Sequence, residues 1–135
     1  MGSSEKKDII PVVIFHVGCP EHLPYSVQSA QRWNERVILL GDEANRNVAR
    51  EWFDHEKLDL TRYNEFLKVF ENYSTYTDFF AQICFKRYFL YYELMKELDF
   101  DRILVAESDL YNCADYSSIP SLKGCLLYTS PSPRD

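Results

Sequence analysis

Apolar residues in this chain fall into three short dense runs and one long periodic stretch, and their spacing sets the fold class. "IIPVVIFHVG" is an almost unbroken β-branched run bounded by proline and glycine, the pattern of a strand covered on both faces. It predicts a first strand over 11–17. After the turn residues of "GCPEHLPY", Val27, Ala30 and Trp33 recur at three-residue steps and predict a short helix over 25–34. "RVILLGDEANRN" gives a second buried strand over 37–40, closed by Gly41 and a polar loop. Strand, helix, strand is the βαβ sign of a parallel sheet.

Over residues 48–73, Trp52, Phe53, Leu58, Leu60, Phe66, Leu67, Val69 and Phe70 are mixed with charges, which predicts shorter helices. "TYTDFFAQICFKRYFLYYELMKELDF" is the strongest helical stretch, opened by a Thr77 or Asp78 cap and ending near Leu98. A strand over 103–106 follows and runs into Glu107, Ser108 and Asp109. The expectation is an α/β protein with a mostly parallel sheet flanked by helices, without internal repeats or an internal linker.

Composition narrows the class. The 135 residues match one ordinary domain, and 46% hydrophobic with 16% aromatic residues is enough for a packed core. A formal charge of -6 with no basic stripe argues against a nucleic-acid partner held by phosphate contacts. The polar start over 1–8 reads as a disordered lead. The first apolar run is too short for a signal peptide, and no stretch predicts a transmembrane segment. Gly2 is a weak myristoylation cue, because Lys6 stands where Ser or Thr is wanted. Cys19, Cys84, Cys113 and Cys125 show no CxxC spacing, so free thiols in a reducing, cytoplasmic setting are expected.

"CLLYTSPSPRD", residues 125–135, resembles one reading frame of a transposase adapter used in preparing sequencing libraries. That resemblance implies an adapter-derived tail, a natural sequence followed only as far as Gly124, and a longer parent protein. The competing reading is a genuine tail with a Ser-Pro turn pattern.

Chemistry concentrates near the long helix and the strand after it. At about 100° per residue, Gln82, Lys86, Glu93, Lys96 and Glu97 share one polar stripe and read as solvated. Arg87 falls instead among Phe80, Ile83, Tyr91, Leu94 and Leu98. An arginine there either snorkels or pairs with a carboxylate, or else meets a phosphate, for which its planar fork of donors is suited. Glu107 and Asp109 lie at the carboxyl end of a strand and can converge if the chain stays extended through Ser108. Two hard oxygen ligands there would suit Mn2+ or Mg2+ sharing its shell with a diphosphate. Taken alone, such carboxylates read more readily as turn residues. His16 and Asp42, at the ends of the first two strands, can touch a ligand at the same edge, though each alone reads more readily as an edge histidine or a turn aspartate. GxGxxG and GxxxxGK[ST] are absent, and no nucleophile with a base stands at motif spacing.

The order of these pieces resembles the nucleotide-sugar-binding half of a GT-A type glycosyltransferase. The match is strongest over "CFKRYFLYYELMKELDFDRILVAESDLYNCAD", similar to that family's Arg-bearing helix, hydrophobic strand and Asp-x-Asp motif, and looser over "VVIFHVGCPEHLPYSVQSAQRWNERVILLGDEAN". The resemblance implies a partial GT-A, Rossmann-like fold over 9–124. Glu107 and Asp109 would occupy the metal positions, Ser108 would lie near the donor ribose, and Arg87 would approach the sugar nucleotide. Phe15, His16 and Val17 would face the base, with Asp42 and Asn45 as looser donor contacts. A UDP-sugar is the first-choice donor and the acceptor is unknown. Glu107 stands where the family usually has Asp, and the acceptor half is missing, so this stretch is not expected to transfer sugar by itself. Two other classes stay open: nucleotidyl transfer on a related sheet, and a non-catalytic binding or scaffolding domain.

Overall fold

A computed structural model describes residues 9–119 and the strand residues Tyr128–Thr129. Strands β1 (Val12–Phe15), β2 (Val37–Gly41), β3 (Glu51–Asp54) and β4 (Arg102–Ala106) pair in parallel in the order β3-β2-β1-β4. A two-residue strand β5 (Tyr128–Thr129) adds antiparallel to the start of β4. The protein is thus α/β with a Rossmann-like half-sheet. Helix α1 (Leu23–Trp33) packs on one face, and α2 (Thr61–Leu67) and α3 (Asp78–Leu98) lie on the other.

Alternation along the strands explains the layering. Val12, Ile14, Val37, Leu39 and Ala106 join Leu23, Val27 and Ala30 of α1 in one apolar cluster. The residues between them, Val13, Ile38, Leu40 and Ile103, pack with Leu90, Tyr91, Leu94 and Met95 of α3. Successive strand side chains point to opposite faces, so one continuous apolar run supplies both cores.

Local signals fix the helix ends. Pro24 sits in the first turn of α1, where its missing N–H costs nothing. Thr77 accepts a hydrogen bond from the Phe80 N–H at the start of α3, and Asp99 closes that helix in the left-handed region at φ 60°. Asn34 caps α1 on Ala30 O (3.1 Å) and also bonds Ala114 O (2.9 Å) and the Tyr116 N–H (2.9 Å). The chain following β4 is thereby tied back to α1.

Two sequence expectations need correction. Residues 51–54 form strand β3 instead of joining a helix: Trp52 packs on the α1 side and Phe53 on the α3 side, while Arg36 forks onto Glu51 at 2.9 and 2.6 Å. The solvated stripe of α3 also breaks up. Lys96 and Glu97 are exposed, but Glu93 is buried and pairs with Lys96 at 3.4 Å, and Lys86 is half-buried over the Tyr63 ring. The 1–8 lead and all of 125–135 except Tyr128–Thr129 lie outside the described residues.

Candidate functional site at the carboxyl edge of the sheet

Strand order creates the site. From β1 the chain crosses to β2 on one side, whereas β4 is added on the other, so the carboxyl ends of β1 and β4 flank a topological switch point. Crevices of this kind are where open α/β sheets bind ligands. His16 follows β1 and Ser108 follows β4, and the His16 Nδ1 to Ser108 Oγ distance is 2.7 Å across a separation of 92 residues. Sequence spacing could not reveal this pair, because nothing local links its members.

Asp42 and Asn45, which follow β2, shape the neighbouring loop. The Gly18 N–H donates to Asp42 Oδ2 at 3.0 Å, and Gly18 holds φ 90°, a region open to glycine at little cost. Asn45 is fully buried. Its amide donates to His16 O (2.9 Å) and Gly18 O (2.8 Å), while its Oδ1 accepts from the Asp42 N–H (3.1 Å) and Trp52 Nε1 (3.1 Å). Asn45 is therefore a clamp for three segments, and its polar atoms are spent on the protein.

The acidic pair departs from the extended geometry expected of it. Ser108 and Asp109 form a turn, with the Leu110 N–H donating to Glu107 O at 3.3 Å, so the two carboxylates do not share one strand face. Glu107 accepts from Arg87 Nη1 at 3.3 Å, whereas the charge of Asp109 acts on the His16 ring. Arg87 lies over the Tyr88 ring at 5.2 Å, and its Nε is buried with no hydrogen-bond partner. Of the two roles open to that arginine, the carboxylate pair is the one formed, and its partner is itself a site residue.

Set against family models, curated proteins and solved structures, the chain matches none of them.

Burial first, and His22 second, lower the pKa of His16, against the opposing pull of Asp42 and Asp109. The imidazole is thus held neutral, suited to a hydrogen bond with a hydroxyl. A cleft of about 350 Å³ opens beside this point, with Val17, Asp42, His55 and Lys86 in its wall. Burial lowers the pKa values of both His55 and Lys86. Asp42 Oδ1 and His55 Nδ1 are buried without partners. The Phe15 ring meets His55 edge-on at 5.7 Å.

The sequence reading missed His55 and Lys86. His55 directly follows β3, so recognising "EWFD" as a strand would have placed it at the carboxyl edge of the sheet beside His16 and Asp42. Lys86 was masked by its position on the polar stripe.

Among the described residues, no three His, Cys, Asp or Glu side chains gather into a cluster able to hold a metal ion. What the turn offers is two hard oxygen donors, Glu107 and Asp109, both exposed. That set fits an ion of the Mg2+ type, which keeps waters and substrate phosphates in its shell and needs only one or two protein carboxylates. It does not fit a closed, all-protein site.

Proposed function

We propose that the chain is the donor-binding half of a metal-dependent glycosyltransferase of GT-A type, taking a nucleoside-diphosphate sugar, first of all a UDP-sugar, at the β1–β4 switch point. The observation that carries this reading is the meeting of His16, Ser108, Asp109, Glu107 and Arg87 at that one edge. A cation, a hydroxyl, two carboxylates and a neutral imidazole together match a sugar diphosphate bound through an ion.

In this reading Glu107 and Asp109 would hold Mn2+ or Mg2+, which would offset phosphate charge and ease departure of the diphosphate. Arg87, bonded to Glu107, offers the planar fork of donors that would take a phosphate of the donor. Ser108 and His16 position the ribose side. Catalysis then rests on orientation and on stabilising developing negative charge, and the acceptor comes from outside the described residues. A cytoplasmic setting belongs to the same proposal, and Cys19, Cys84 and Cys113 are free thiols in keeping with it.

Titration calorimetry of the 135-residue chain with UDP, with and without Mn2+, tests the proposal. Metal-dependent heat that disappears in Asp109→Ala is the expected result. Heat independent of metal, or unaltered by that substitution, would leave a scaffolding domain as the better description.

A further inference from the structure

We propose that His55 and Lys86 are the residues that choose the base of the bound nucleotide, reading the edge of a uracil-type ring, one ring N–H between two carbonyl oxygens, in the cleft beside the switch point. The inference rests on the donor-binding reading above and adds residues that neither the sequence pattern nor the resemblance supplies.

The cleft's charge decides what kind of group enters it. Asp42, Glu43, Asp54 and Glu56 line it against a single lysine, Lys86. A diphosphate would be repelled there, while a neutral heterocycle would not. Its apolar walls, Val17, Phe79 and Ile83, suit the faces of such a ring. The phosphates then fall to the Glu107–Asp109 turn, where an ion offsets them.

Hydrogen-bonding capacity decides which heterocycle. Asp42 Oδ2 already accepts from the Gly18 N–H, and Oδ1 is a buried acceptor with no partner. His55 is only 4% exposed, and its Nδ1 also has no partner. Leaving such groups unmet carries a desolvation penalty that a ligand can remove. Lys86 and Asp42 both act electrostatically on the His55 ring, so the three groups are neighbours. Asp42 Oδ1 supplies one acceptor, and the Lys86 ammonium and the Nδ1–H tautomer of a neutral His55 supply two donors. A ring N–H flanked by two carbonyls is the complement of that set. Guanine instead presents two adjacent donors, and adenine has no ring N–H on its pairing edge. Asp42 and His55 both line the cleft and both atoms are buried, so engaging them takes a rotation of the Asp42 carboxylate or the His55 ring.

The test is calorimetry of UDP, CDP, GDP and ADP, each with Mn2+, on the full chain and on His55→Phe and Lys86→Met. UDP is expected to bind at least about tenfold tighter than the others, the worth of one well-placed hydrogen bond in a buried site. His55→Phe should bring the four affinities within about threefold while diphosphate binding persists. Lys86→Met, at a half-exposed position, should narrow the preference as well and carries the test if His55→Phe loses its folded circular-dichroism signal. Equal affinities in the wild type, or a preference unchanged in the folded variants, would overturn the base assignment and leave donor binding standing. No binding of any nucleoside diphosphate would overturn both.

Discussion

His16 and His55 carry opposite relations to their surroundings although both are kept neutral by burial. His16 has found Ser108, whereas His55 Nδ1 has found nothing. Both pKa values lie below the ordinary 6.5, so the unfolded chain takes up protons that the folded chain refuses. Stability is therefore complete above pH 6.5 and falls as pH drops through the window between that value and the lower folded ones. Thermal melts at about pH 7.5 and 5.5 should show the midpoint falling with acid, and His55→Gln should make the fall shallower. A variant whose melting point drops as steeply as the wild type's would remove His55 from this account. The mutual repulsion of a protonated His55 and Lys86 acts in the same direction.

At the scale of elements, the loop after β2 is rigid because one side chain occupies the space that another residue vacates. A Cβ on Gly41 would sit 2.0 Å from Asn45 Oδ1. Asn45 cannot yield, since its amide ties the loop after β1, the start of its own turn and Trp52 of β3. Gly41→Ala is expected to cost about 2–3 kcal/mol in denaturant unfolding. Combining it with Asn45→Ala should cost less than the two single losses added together, and strict additivity would show that the clash is not with this amide. This junction also marks where sequence reading gave out. The dense runs that became β1, β2, β4 and α3 were legible because strands covered on both faces need apolar residues throughout, and because a 21-residue helix repeats its pattern often enough to be seen. β3 was not legible: its four residues include two acids, and an edge position tolerates them. With β3 hidden, the place of His55 at the carboxyl edge was hidden too. The end of β4 that leads into Glu107 and Asp109 was legible, but the turn at Ser108 that separates them was not, being tied to His16 after β1 and, through Glu107, to Arg87 of α3.

The molecule as a whole is unevenly finished. The sheet and the second half of α3 are tightly packed, while around the start of α3 Tyr76 is 60%, Phe79 68%, Phe80 47% and Phe85 48% exposed. Apolar surface left this open should bind a hydrophobic dye and promote self-association. Phe80→Glu is expected to lower dye fluorescence and slow aggregation while changing stability by no more than about 0.5 kcal/mol. A large loss in melting temperature would instead mean that Phe80 supports the core. The switch point has another consequence, which concerns the order in which the molecule comes into being. Contacts between β1 and β2 join nearby stretches, but the bond from His16 to Ser108 closes 92 residues of chain. Closing a loop of that length costs about 4 kcal/mol in chain entropy before any contact offsets it. On the ribosome, β1 through β3 emerge and can pair before β4 exists. The His16–Ser108 pair at this edge therefore forms only when β4 docks, so nucleotide binding there, as proposed above, would report the docking of β4.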